Sequence, residues 1–581
     1  MAELPARRRA GPGRRRVGAR YTGQVVTRAG RGALIAFAAA LHGCGRNPPP
    51  APEPRSEGAP AAGLTAQAGE GLVVETIGPR PGVPLEYEAE LVGSDRCVTC
   101  HPAQGDDAGA HPMARTGRAV TAATRDAWFS AEHLKKPVLW PRDRGAEPPA
   151  YRVEPDAVFL EGIGEDGTRA SARVAAVFGS GRHGVTPIAA ESGRSIRELR
   201  LSYFPEESAW RMTPGSADDP DVIGSPSSAE RSRWCLGCHS TRLSWRGGAL
   251  DAEASLLGVH CERCHGPGSR HVSADLASGA DLSIFNPGRL PPAEQVAFCG
   301  QCHRRPCDLD PGLVLKEDPS VARHAGAGLL LSACFRRSPP ASTLTCVECH
   351  DPHRSSHASG EATSRVCLRC HPRPEEKHRP AATRITAQTD CVPCHLPIER
   401  RGKNGLAFVD HWIRVPGAPP PLESPAKAEY LSVLEAAYRA AIERPDRGPE
   451  GQAAYWTRLG DLLCSQGRFG EGAAAFQAAI AQDPPYRDHV LLAEKLRRAG
   501  RPREGEAVLR AAIRREPSFN RAYYALVQHY LQLGDPVGAE EALLLWKQAL
   551  PADPVRAEAA ADIERARRSG SLKARAPLDR R

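Results

Sequence analysis

The sequence predicts a mainly α chain in two parts. A region of short helices and loops with a small β-rich insertion comes first, and an α-helical repeat solenoid follows. Three observations carry this. Cys-x-x-Cys-His occurs seven times between Cys97 and His395. Between the first two copies, Tyr151–Glu161, Ser171–Phe178 and Arg197–Phe204 alternate apolar and polar residues, with turns at Gly162-Ile163-Gly164 and Asp166-Gly167. After Pro425 the composition turns to Ala, Leu, Glu and Arg, with prolines 33 residues apart at Pro484 and Pro517. At 581 residues the chain has room for more than one domain.

In order, residues 1–43 carry nine Arg and one acid, Glu3, which is +8 of the formal +9. The rest is therefore close to neutral, and a nucleic-acid partner is not implied. The apolar run Gly32–Leu41 has ten residues, too few to span a bilayer but suited to a secretory signal. It ends at Leu41-His42-Gly43-Cys44, which resembles a lipoprotein cleavage box with Cys44 as the lipidated residue; His42 departs from the usual small or β-branched residue. Ordinary signal cleavage to a soluble product is the alternative. With Gly45 beside Cys44, a lipid anchor implies the outer membrane. Residues 44–87 are rich in Pro, Ala, Gly and Glu and are expected to be a disordered tether.

The repeated motif is the c-type haem attachment signature. Two thiols three positions apart can form thioethers with the two vinyl groups of one porphyrin, and the adjacent His binds iron. The attachment residues are Cys97, Cys100, Cys235, Cys238, Cys261, Cys264, Cys299, Cys302, Cys346, Cys349, Cys367, Cys370, Cys391 and Cys394. The proximal ligands are His101, His239, His265, His303, His350, His371 and His395. A lone Cys-x-x-Cys pair could bind zinc or cycle as a dithiol, but seven copies each followed by His point to seven covalent haems. From Cys235 onward the motifs recur every 21 to 47 residues, too densely for a conventional core. Residues 88–415 are therefore expected to be a haem-cored heptahaem cytochrome domain. Aromatic residues are only 5% of the chain, and macrocycles would supply the missing apolar surface. Each haem also adds two propionates, so the assembled protein is expected to be acidic.

Of 20 histidines, thirteen are not proximal. His42 belongs to the signal, and His489 and His529 to the repeats. The favoured distal ligands are His111, His183, His271, His324, His353, His378 and His411. His357 competes with His353, and His133 and His260 read as structural. Met113 and Met212 are the only thioethers beyond Met1. Bis-His ligation of most irons implies low potentials and little open iron.

Val92-Gly93-Ser94-Asp95-Arg96-Cys97, His111-Pro112-Met113-Ala114-Arg115 and Trp210-Arg211-Met212-Thr213-Pro214-Gly215 resemble a family of exported multihaem cytochromes. Cys261–Gly268, Ser332-Ala333-Cys334-Phe335, Cys349-His350-Asp351-Pro352-His353 and Asp410-His411-Trp412-Ile413 fit the same pattern, as do Phe178-Gly179-Ser180-Gly181 and Leu201-Ser202-Tyr203-Phe204. These proteins are cytochrome c-554-like, with doubled haem motifs followed by tetratricopeptide repeats. The resemblance covers about 90–550 and implies fold and cofactor rather than substrate. The Cys-x-x-Cys-Lys site of nitrite reductases is absent from the sequence. Cys307 and Cys334 are either a disulfide or two buried thiols, and Cys464 is a small core residue of a repeat.

Residues 427–556 fit the tetratricopeptide pattern. One unit has Trp456, Leu459, Gly460, Leu463, Gly472, Phe476, Ala479 and Pro484. The next has Leu492, Ala493, Leu496, Gly500, Gly505, Leu509, Ala512 and Pro517. A looser unit follows from Tyr523, and 427–445 reads as a degenerate first one. Such hairpins stack into a concave surface, which either docks a partner or only braces the haem domain. Residues 557–581 are expected to be a disordered tail.

Together these features predict an exported, periplasmic electron-transfer protein, lipid-anchored at Cys44, with a redox partner docking on a haem edge or on the repeats. The alternative is an oxidoreductase acting on a small nitrogen or sulfur compound at one five-coordinate haem. A scaffold or sensor is a third reading. A denaturing gel should show a haem-stained band, and intact mass should show seven haem additions; fewer would count against the seven-site reading.

Overall fold

The computed structural model describes residues 72–76, 90–105, 109, 111–141, 147–164, 167–216, 219, 221–274, 284–316, 318–339, 343–354, 360–378, 385–400, 407–415, 427–443 and 447–569. The expected signal 1–43, Cys44 and His357 lie outside the described residues. So does the tether 44–87, except for Leu72–Thr76. That segment, Leu-Val-Val-Glu-Thr, is a strand and not tether, paired antiparallel with Ser240–Arg246 so that Val73 faces Trp245. Its apolar residues can bury surface that the surrounding Pro- and Ala-rich sequence cannot.

The insertion between the first two motifs is β-rich, as predicted. Gly117–Ala119, Ala176–Phe178, Thr186–Glu191 and Ser195–Glu198 form one antiparallel sheet, and Ala150–Val153, Val158–Ile163 and Arg169–Arg173 form a second. Leu201–Phe204 pairs with Ala209–Met212, which takes Val138–Leu139 as a parallel neighbour. The alternation over 151–161 is interrupted by a turn in which the Glu154 N–H donates to the Ala157 carbonyl (2.8 Å), making a hairpin. Phe129, Tyr203 and Trp210 anchor a buried core under these sheets, with Tyr151 packed against it.

From Cys261 to Val415 the architecture changes to short helices and loops. The apolar cluster here has only Val296, Leu329 and Phe335 as fully buried members. The repeat region, by contrast, buries Phe476, Leu492, Leu496, Leu509, Tyr523, Leu526 and Trp546 in one continuous core. Outside that cluster Leu309, Val314, Leu331 and Trp412 are also fully buried between the motifs.

The repeats are three helical hairpins: Pro449–Ser465 with Phe469–Ala481, Tyr486–Arg498 with Pro502–Arg515, and Asn520–Leu533 with Pro536–Ala549. Small residues sit where helices touch. A Cβ on Gly460 would lie 2.3 Å from the Phe476 ring, and one on Gly472 would lie 2.4 Å from Cys464 Sγ. The expected degenerate first unit is a single helix, Lys427–Glu443. The expected disordered tail is corrected as well. Arg556–Arg568 is a helix that buries Ala559 and Ile563 on the last hairpin, because a terminal repeat needs its apolar face covered. Among the described residues, no helix is long and apolar enough to cross a membrane.

Gly460→Val should force the 449–481 hairpin apart and cost about 1–3 kcal/mol. A thermal melt followed by helical circular dichroism reads it, and an unchanged Tm would contradict this packing.

Candidate haem-binding centre

Several motifs close a helix. Ala229–His239, Cys261–His265 and Pro292–His303 each end on the proximal histidine. The histidine thus leaves the helix at its C-terminal edge, with both cysteines on the preceding turn.

Hydrogen bonds then orient the rings. Nδ1 of His239 donates to the Thr116 carbonyl (2.8 Å), that of His265 to Phe285 (2.9 Å) and that of His395 to Arg414 (2.8 Å). A carbonyl can only accept, so Nδ1 carries the proton and Nε2 keeps a free lone pair for iron. Phe178 stacks on the His239 ring at 4.3 Å and fixes its plane. The same pattern holds for His378 Nδ1 to Pro374 (2.7 Å) and His411 Nδ1 to Val409 (2.9 Å). Burial holds His239, His265, His303, His350 and His411 below their ordinary pKa. They are therefore neutral at neutral pH, the form that binds a metal.

Four of the predicted distal residues face a motif histidine. His271 faces His101 with ring centres 6.1 Å apart, His353 faces His265 at 6.1 Å, His411 faces His350 at 6.2 Å and His378 faces His395 at 6.0 Å. A metal–imidazole bond of about 2.0 Å, plus about 1.1 Å from ring nitrogen to ring centre on each side, separates the centres of two axial imidazoles by about 6.2 Å. The donor set fits haem.

The other predicted residues are placed differently. His183 is half-exposed with Nδ1 3.2 Å from Glu206 Oε1. His111 Nδ1 accepts from the Met113 N–H (3.1 Å), which puts the neutral ring's proton on Nε2, the reverse of the other rings. His324 is half-buried, Nδ1 towards the Ser320 carbonyl at 3.3 Å, and desolvation with Arg304 brings its pKa down to about 4. Among the described residues, no such facing pair involves His239, His303 or His371. His260 directs Nε2 at the Leu257 carbonyl (3.0 Å), and His133 packs among Trp128 and Tyr203, both structural as read. Cys307 and Cys334 do not form a disulfide. Cys307 is buried beside the repeats, where Arg458 donates to its carbonyl (3.1 Å), while Cys334 lies near Cys370.

The motifs are also joined to one another, chiefly through the third. Glu262 is buried and accepts from three backbone N–H groups, those of Val92 (2.8 Å), Gly93 (2.9 Å) and Gly268 (2.8 Å). Arg263, also buried, donates through Nε (3.2 Å) and Nη2 (3.0 Å) to the Gly237 carbonyl inside the second motif. Cysteines of different motifs also lie close to one another and mark further junctions: Cys97 with Cys261, Cys238 with Cys302, Cys299 with Cys346 and Cys367 with Cys391. Arg369 pairs with Glu348, and the Cys391 N–H donates to Ser364 Oγ (2.9 Å). Sequence reasoning passed over Glu262 and Arg263; two adjacent charges in the variable places of Cys-Glu-Arg-Cys-His were the available signal.

This arrangement suits covalent attachment of c-type haem. The family described as cytochrome c554 and c-prime matches residues 215–266, and the tetratricopeptide repeat family matches 435–487 and 490–554. A search of curated proteins finds no match. The chain thus carries a stretch similar to the cytochrome c554 and c-prime family, which supports covalently bound haem c, and tetratricopeptide repeats at its C-terminus.

Glu262→Ala leaves three N–H donors without their acceptor and should cost about 2–4 kcal/mol. Thermal unfolding followed in the Soret band reads the loss, and an unchanged midpoint would remove Glu262 from this role.

Proposed function

We propose that the chain is an exported seven-haem electron-transfer protein in which paired imidazoles cap most of the irons. The carrying observation is the set of four facing histidine pairs at 6.0–6.2 Å. On this reading His101 and His271 hold the first haem, His265 and His353 the third, His350 and His411 the fifth, and His395 and His378 the seventh. His239, His303 and His371 are the proximal ligands of the second, fourth and sixth, with His111, His183 and His324 as the remaining candidates for the opposite side.

Bound haem supplies one-electron chemistry. The chain's own residues fix the imidazole planes through backbone carbonyls and keep Nε2 free. Contacts between motifs support a continuous order. The first site adjoins the third through Cys97 and Cys261, and the fourth adjoins the second and fifth through Cys302 with Cys238 and Cys299 with Cys346. Arg263 ties the third to the second. Glu348 with Arg369, then Ser364 with Cys391, carry the line to the sixth and seventh. The basic, apolar N-terminus ending at Cys44 supports export with a lipid anchor, and the repeats support a protein redox partner.

A second reading is substrate conversion of a small nitrogen or sulfur compound at one open haem. It is favoured by the lack, among the described residues, of a facing imidazole for His239, His303 or His371.

Electron paramagnetic resonance of the ferric protein, with cyanide or nitric oxide added, decides between the two. The wire reading expects low-spin signals and no ligand uptake. A high-spin signal that shifts on adding ligand would establish an open iron instead.

A further inference from the structure

We propose that the first two helices of the repeat domain are a working part of haem sites 2 and 4, with Arg447 as the positioning residue that ties the repeats to the redox potentials of those sites. The inference rests on the reading that motifs 2 and 4 carry haem.

Trp234 immediately precedes Cys235, and two guanidinium groups lie over its ring, Arg447 at 4.0 Å and Arg304 at 4.8 Å from the ring centre. Arg304 immediately follows His303 and takes a left-handed backbone (φ 68°), an uncommon state for a side-chain-bearing residue. Its carbonyl is held by the Ala327 N–H at 3.0 Å. One pair of cations therefore grips the entry to motif 2 and the exit from motif 4.

Arg447 is fixed in turn. It pairs with Asp308 at 2.6 Å, and the two side chains are 11% and 1% exposed. Asp308 also accepts from the Arg305 backbone N–H (3.0 Å), and Arg305 Nη2 donates to the Tyr455 hydroxyl (2.9 Å). The Tyr438 hydroxyl donates to the Leu309 carbonyl (2.6 Å). Glu230, in the helix that carries motif 2, accepts from the N–H groups of Glu450 (3.0 Å) and Gly451 (2.7 Å) at the start of Pro449–Ser465. The chain flanking both motifs is thus bonded to the repeats at every step.

A buried cation near a haem favours the reduced state, which carries one positive charge fewer, and low dielectric strengthens the effect. Losing the Arg447 charge also leaves Asp308 less compensated. Both changes lower the potential.

The test is a potentiometric titration of the full chain, followed optically and by electron paramagnetic resonance. Arg447→Gln should move one or two components downward and alter their low-spin signals, leaving the others in place. Arg447→Lys should restore most of the shift. Lys547→Gln, an exposed charge on a distant repeat helix, should change nothing. An Arg447→Gln chain that folds and titrates like wild type overturns the inference. If that chain does not fold, Tyr455→Phe decides: the same components displaced supports it, and an unmoved curve overturns it. A wild-type chain with too few titrating haems would count against the seven-haem reading instead, so the two failures are distinguishable.

Discussion

The haem region depends on two adjacent side chains, Glu262 and Arg263, inside its third motif. Both are charged and both are buried, which is costly unless every polar atom is answered. Glu262 is answered by the backbone leading into motif 1 and by Gly268, and Arg263 by the carbonyl of Gly237 in motif 2. Directional bonds of this kind work together with buried side chains such as Leu309, Val314 and Trp412 to set the relative placement of the motifs. A pathway for electrons needs such fixed spacing, because each transfer depends on the distance between neighbouring cofactors.

The repeats enter the same economy of contacts. Their first helix and hairpin are occupied by the haem domain: Tyr430 packs on Trp412 beside His411, Arg336 donates to the Tyr430 hydroxyl (3.0 Å), and Arg447, Tyr438 and Arg458 hold the stretch after His303. Among the described residues, the bracing contacts are therefore confined to the start of the solenoid. The hairpins from Tyr486 onward, closed by Arg556–Arg568, make none of these contacts.

Much of the molecule was legible because its signals are local. Cys-x-x-Cys-His is complete within five residues, and the repeat pattern within 33. The facing histidine pairs show where local reading stops. His353 lies three residues after His350, yet it faces His265, while His350 faces His411. That exchange is made by the tertiary fold and has no trace in spacing. His111 and His183 were favoured from their sequence surroundings, and the structure gives their rings other hydrogen-bond partners. Leu72–Thr76 was hidden by averaging over a Pro-rich stretch, and Arg556–Arg568 by its charge, although Ala and Arg are strong helix formers.

The bond from Glu262 to Gly93 spans 169 residues. At about 5–20 residues per second, synthesis takes roughly 10–35 s to deliver the carboxylate after the first motif is made. Throughout that interval the first pair of thiols belongs to an unfinished chain, with no native frame around it. A signature complete within five residues can be read on such an unfinished chain, whereas a folded pocket cannot.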